Sequence, residues 1–291
     1  MPGTLYLCST PIGNLEDITL RVLRILREVD VIVAEDSRRT RQLLSHYGIT
    51  TPLAPSLYQG VEEARTEEVL ALLRLGKNVA LVSDAGTPLI SDPGFPLVRA
   101  CIAEGIPVVP VPGPSAVLAG LVASGLPPQP FLFAGYPPRA LRARQKWLEE
   151  LLSLPYTVVF FEAPHRLLAT LGLLAQLAPG RAVVVARELT KIHEEFVRGR
   201  ASEVHAEFAR REKIQGEIVV LLAPAEEKKE TPKASPTTVL ARYQELLAQG
   251  LSPKEARGEL SRVFGLSKRQ IYRIILTAQE KEGKTDKSAR P

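Results

Sequence analysis

The side chains able to do chemistry gather where short apolar runs end. Residues 80–94 read ALVSDAGTPLISDPG. The apolar run 79–82 gives way to Ser83, Asp84, Gly86, Thr87, Pro88, Ser91, Asp92, Pro93 and Gly94. Two carboxylates, several hydroxyls and free backbone amides thus meet at the carboxyl end of a buried strand, where open α/β sheets hold their ligands. Two Pro and two Gly between Asp84 and Gly94 fix more backbone angles than a simple chain reversal needs. A second such loop, PGPSA at 112–116, lets the backbone itself touch a ligand, and the amide end of a following helix favours a carboxylate. With Asp84 available to face a cation, the set suits a small zwitterionic ligand. The simplest role for residues 91–94 is to launch the next helix, at Phe95.

Other chemistries lack their residues. The chain has no GxxxxGK[ST], no GxGxxG after its first strand, no HExxH and no GxSxG. His46, His165, His193 and His205 show no metal-ligand spacing, so no metal site is expected. Cys8 and Cys101 stand far apart in apolar surroundings and read as buried thiols of a reducing compartment.

The elements that position these loops alternate. Residues 4–9 form a short apolar run ending in TPIGN (10–14), and Leu20, Leu23, Leu26 and Val29 then recur at helical spacing. Residues 31–34 run into AEDSRRT (34–40) and a helix closing at Gly48; 61–75 is an amphipathic helix; 79–82 leads into the first loop. Helix 95–104, strand 108–111 and a small-residue helix towards Gly125 follow. The repeated β-loop-α unit predicts a largely parallel sheet in an N-terminal domain, residues 1–125. The Pro-rich stretch 125–130 marks a junction. Residues 126–223 read as a second α/β domain: a run at 131–134, a helix at 139–152, strand 157–161 into EAPHR (162–166), strand 183–186 into RELTK (187–191), and strands 196–199 and 218–222 completing a mixed sheet.

Residues 224–236 read as a charged, Pro-containing linker. Beyond it, 237–291 predicts three helices: 237–249, one opened by the capping box Ser252–Pro253–Glu255, and one opened by Ser267 and Gln270 that carries Lys268, Arg269 and Arg273. Helix, Gly turn and basic helix form a helix-turn-helix pattern, with a packing module as the alternative. The net charge of +5 lies wholly here. Residues 226–291 hold 14 Lys/Arg against 9 Asp/Glu, and the remaining 23 of each balance. A basic appendage on a neutral body points to an anionic partner, nucleic acid above all. The start shows no signal-peptide pattern and no run approaches the ~20 apolar residues of a membrane span. A cytoplasmic protein is expected.

TPIGNL (10–15), AEDSR (34–38), ALVSDAGTPLISDPG, VPGPSA (111–116), FFEAPHRL (160–167) and ARELTK (186–191) stand in order along residues 3–223. Together they resemble the family of small-subunit ribosomal RNA ribose-2′-O-methyltransferases I, a branch of the tetrapyrrole (corrin/porphyrin) methylase fold. The resemblance implies two α/β domains with S-adenosylmethionine in the cleft between them, methylation of a decoding-centre cytidine on its ribose 2′-hydroxyl, and a homodimer. Carried over by motif, Asp84, Gly86, Thr87, Ser115, Ala116, Phe161 and Leu189 line the cofactor site. An alcohol needs help to lose its proton, and Glu35, Asp36, Glu162 and Lys191 are the candidates on motif loops, with Asp36 or Glu162 as the proton acceptor and His165 as a further possibility. Arg38, Arg39, Arg166 and Arg187 are candidates for RNA phosphates, as are Lys268, Arg269 and Arg273 in the tail; an ion-pair network is the alternative for Glu162, Arg187 and Glu188. The rival functions are methylation of a tetrapyrrole and a ligand-sensing DNA-binding regulator.

Overall fold

The computed structural model describes residues 1–58, 62–225 and 235–287. Residues 226–234 of the expected linker, Val61 of the expected helix 61–75, and the last four residues of the C-terminal module lie outside the described residues.

The chain divides into two compact units, Met1–Ala225 and Glu226–Pro291. The first holds two sheets. Strands β1 (Leu5–Cys8), β2 (Val31–Ala34), β3 (Val79–Val82) and β4 (Val108–Val111) form a parallel sheet in the order β2-β3-β1-β4. Every residue of β3 is buried, which explains its unbroken apolar run: a parallel strand covered on both faces has no polar side to alternate with. Its helices are α1 (Leu20–Glu28), α2 (Ser37–His46), α3 (Glu62–Arg74), α4 (Phe95–Ala103) and α5 (Ala116–Ser124). Side-chain oxygens of Thr19, Asp36 and Ser115 cap α1, α2 and α5.

The second sheet is mixed, as expected. Strands β5 (Phe131–Phe133), β6 (Thr157–Glu162), β7 (Ala182–Arg187), β8 (Glu195–Arg200) and β9 (Ile218–Leu222) run in the order β5-β6-β9-β7-β8, with only β5–β6 parallel. Helices α6 (Leu141–Leu152), α7 (Pro164–Leu177) and α8 (Ala201–Ala209) complete it. Helix α5 connects the sheets physically. It follows β4, yet Val117 and Leu121 pack into one core with Val159, Val184, Val219 and Leu221 of the second sheet. Burial raises the thiols of Cys8, to about 12, and Cys101, to about 11, so both stay protonated within the core.

The second unit contains α9 (Pro236–Ala248), α10 (Pro253–Phe264) and α11 (Lys268–Lys287). Val239, Tyr243, Leu260, Phe264, Ile271 and Ile275 share its small core. Gly265, in the left-handed region, turns α10 into α11, and both expected capping boxes form. Among the described residues no helix is long and apolar enough to cross a membrane.

Candidate active site: a carboxylate-ended cavity between two sheets

The carboxyl ends of β3 and β4 and those of β6 and β7 meet around a cavity of about 450 Å³. Asp84, Gly86, Thr87, Ser115, Ala116, Phe161 and Leu189, all expected from sequence at a ligand site, line it together. The loop after β3 is held from both sides. Thr10 and Gly86 exchange backbone hydrogen bonds (2.8 and 2.9 Å), and the Thr87 hydroxyl donates to Pro114 O at 3.2 Å. Gly86 sits at φ +85°, a left-handed conformation that side-chain-bearing residues rarely adopt. Leu89 and Ser91 on this loop, and Glu188 and Thr190 beside Leu189, also take positive φ, so strained backbone brackets the cavity from both lobes.

Three carboxylates converge at one end: Glu35, Asp84 and Asp92. Asp84 Oδ1 accepts the Asp36 amide at 3.0 Å, and Oδ2 lies 3.4 Å from the Arg39 guanidinium. Glu35 is raised by burial and by the Asp84 charge beside it. Asp92 is raised further, to about 7, by burial first and then by Glu35. Its Oδ2 is buried without a hydrogen-bond partner. Residues 91–94 therefore do more than launch α4. Gly94 is the N-cap and offers no side chain, while Asp92 turns into the cavity. The opposite wall is apolar, with Ile12, Val117, Leu189 and Val219. A cation at the carboxylate end and a flat apolar group along that wall fit this surface. Among the described residues no group of three or more His, Cys, Asp or Glu is arranged to hold a metal ion.

The other sequence candidates separate by position. Glu162 lines the cavity, but its carboxylate is 2% exposed and occupied: Oε2 accepts from the Thr170 hydroxyl (2.5 Å), and Oε1 accepts from the Ala163 amide (2.8 Å) and pairs with Arg166 (3.3 Å). Asp36 lies outside the lining. It caps α2 and is clamped by Arg38, whose side-chain hydrogen bonds hold the carboxyl down at about 2, so it is a weak proton acceptor. Lys191 also lies outside. Burial opposes its charge, but the Glu188 hydrogen bond (2.8 Å) and Glu217 (3.3 Å) outweigh that and raise the ammonium, keeping it protonated.

Of the arginines, Arg39 alone lines the cavity and is mostly exposed; Arg38 is spent on Asp36. Arg187 pairs with Glu195 and donates to Gln215 O, and Arg166 is largely buried and pairs with Glu162. Lys268, Arg269 and Arg273 are exposed on α11. His165 lies with His205 along a shallow groove elsewhere. Sequence reading missed Tyr136, an aromatic at the cavity edge whose only sequence signal is its place in a GYPP turn.

Residues 4–205 match the family model of Tetrapyrrole (Corrin/Porphyrin) Methylases. A ribosomal RNA small subunit methyltransferase I of Halalkalibacterium halodurans is 43% identical over 278 residues, covering 94% of both chains. That of Thermotoga maritima is 48% identical over 224 residues, which is 77% of this chain and all of the relative. In structure, uroporphyrin-III C-methyl transferase from Thermus thermophilus, complexed with S-adenyl homocysteine, aligns with a TM-score of 0.53 at 22% identity, over 75% of this chain and 97% of that one. Diphthine synthase aligns with a TM-score of 0.58 at 15% identity, over 76% and 90%. A parallel sheet and a mixed sheet closing on one strand-end cavity, with sequence likeness running through both, place this chain in the tetrapyrrole (corrin/porphyrin) methylase family.

Proposed function

We propose that this protein is an S-adenosylmethionine-dependent methyltransferase acting on the ribose 2′-hydroxyl of a cytidine in small-subunit ribosomal RNA. The observation that carries the reading is the single cavity in which Glu35, Asp84 and Asp92 face an apolar wall built from both sheets. The near-full-length relatives named for small-subunit ribosomal RNA supply the substrate class. Within this reading residues 1–125 and 126–223 are the two catalytic domains and 224–236 the linker. The protein works in the cytoplasm as a homodimer; the exposed apolar residues Leu118 and Val122 of α5 favour burial against a second copy.

S-adenosylmethionine, when bound, supplies a methyl group on a sulfonium. Asp84 and its carboxylate neighbours complement that positive charge, and the amide end of α5, behind Ser115, suits the carboxylate of the amino-acid moiety. Ile12, Leu189 and Val219 cover the apolar face and exclude water. Glu35, with Asp92 beside it, takes the hydroxyl proton. Burial raises both carboxyls, and the Glu35 charge raises Asp92 further, which favours proton uptake at this end of the cavity. Such proton acceptance is worth about 10²–10⁴-fold, and fixed orientation supplies more. The test is incubation with labelled S-adenosylmethionine and, separately, small ribosomal subunits and a precorrin-type macrocycle. Label on one ribose of the subunit RNA is expected; label on the macrocycle alone overturns the reading.

A further inference from the structure

The turn between β5 and α6 is held with unusual firmness for a surface segment. Arg166 Nη2 donates to Pro137 O (2.7 Å) and Pro138 O (3.0 Å). Arg144, itself 4% exposed, donates from Nε to Pro138 O (3.1 Å) and from Nη2 to Arg139 O (3.0 Å). Both guanidiniums are anchored below: Arg166 to buried Glu162 (3.3 Å), and Arg144 to the Thr170 hydroxyl (3.2 Å) that in turn donates to Glu162. Three successive carbonyls are thus fixed by two charged forks, which leaves the turn little freedom.

What the turn displays explains the effort. Tyr136 lines the cavity, yet is 57% exposed, with its ring centroid 5.5 Å from that of Phe161. Burial of the hydroxyl, and the Glu217, Asp92, Glu162 and Glu35 charges it faces, raise its pKa, so it stays a neutral ring and a hydrogen-bond donor. Arg139 and Arg142 follow within six residues. Both are exposed, neither forms an ion pair among the described residues, and the first turn of α6 contains no acidic residue. An exposed, rigidly held aromatic at a cavity mouth beside uncommitted guanidiniums is the combination that binds single-stranded nucleic acid, through base stacking and phosphate contact.

We propose that residues 135–142 form the RNA-docking rim of the site, with Tyr136 stacking on a base at or next to the acceptor nucleotide and Arg139 and Arg142 holding adjacent phosphates. Arg144 and Arg166 are positioning residues that fix the rim. The inference rests on the RNA-methyltransferase reading for its biological meaning, while its physical content is tested separately.

The experiment uses full-length protein and three readouts: affinity for a short single-stranded RNA across a salt series, affinity for S-adenosylhomocysteine, and KM and kcat on small ribosomal subunits. Tyr136→Ala is expected to weaken RNA binding and raise KM about tenfold, with S-adenosylhomocysteine affinity unchanged; Tyr136→Phe keeps the ring and stays near wild type. Should Tyr136→Ala lower the Tm, Tyr136→Leu makes the same comparison with side-chain bulk retained. Arg139→Ala/Arg142→Ala is expected to reduce the slope of log affinity against log salt by about 1.4, two single-strand phosphate contacts. Unchanged RNA affinity and KM in both sets overturn the proposal, as does a loss confined to S-adenosylhomocysteine, which would make Tyr136 a cofactor residue only. Wild-type protein that binds RNA through Tyr136 but labels no subunit leaves the rim standing and removes the functional reading instead.

Discussion

The stem of Lys191 lies directly against Gly13: a Cβ on Gly13 would stand 2.4 Å from Lys191 Cγ and 2.9 Å from Cε. The loop after β1 and the loop after β7 are thereby locked together, with the Lys191 ammonium tied back to Glu188 and Glu217. Gly13→Ala is expected to lower stability by about 1–3 kcal/mol through overpacking. Adding Lys191→Ala recovers part of that loss, because the remaining clash, with Leu189 O at 3.1 Å, is milder. Melting curves of the two single variants and the double variant measure the coupling.

Asp92 gives the site a pH dependence whose sign differs for stability and for activity. Its folded-state pKa is about 7 against an ordinary 3.8. Between those values the folded protein keeps a proton that the unfolded chain has lost, so stability falls as pH rises through the window and levels off above it. Asp92→Asn is expected to flatten that part of a Tm-against-pH plot.

Methyl transfer needs Glu35 ionised, and burial raises that carboxyl, so the rate rises with pH on the acid side and then levels off. Glu35→Gln is expected to lower kcat about 10²–10⁴-fold with S-adenosylhomocysteine binding retained. Asp36→Ala acts differently. It removes the α2 cap and lowers the Tm with a far smaller effect on kcat. Comparable kcat losses in both variants would return Asp36 to the chemistry.

Glu162 is the buried counter-ion of the Arg166 fork and the acceptor of Thr170. Glu162→Ala leaves Arg166 charged and without its partner, and is expected to cost about 3–5 kcal/mol. Thr170→Val removes one hydrogen bond to that carboxylate and is expected to cost about 1.5–3 kcal/mol. Urea titrations of both variants distinguish a charged hub from an ordinary buried contact.

The chain ending at residue 225 is a compact unit close in length to the Thermotoga maritima relative. It is expected to fold and keep S-adenosylhomocysteine affinity. Loss of exposed Lys268, Arg269 and Arg273 should weaken RNA binding and flatten its salt dependence. Calorimetry and an RNA salt titration on the 1–225 chain check both statements.

The sequence by itself determined the strands, the ligand loops and the order of elements. A strand buried on both faces, such as β3, must read as an apolar run, and Gly, Pro and Asp at its end announce a loop that leaves the sheet. It also determined the capped helices of the tail, since capping is a local contact between residues three apart. Only the tertiary structure decided which polar residues face the cavity. Asp36 and Glu35 are neighbours in one motif, yet a single residue step turns one to cap α2 and the other into the site. Glu162 and Arg166 look chemical in sequence, but burial and pairing commit them to holding a turn. Tyr136 carried no distinctive signal, and Asp92 stood in a legible ligand loop without an assigned contact, because their roles come from strands and helices distant in the chain that close around them. Charge, burial and pairing are properties of the assembled neighbourhood, and they decide which of many acids and bases is left free to act.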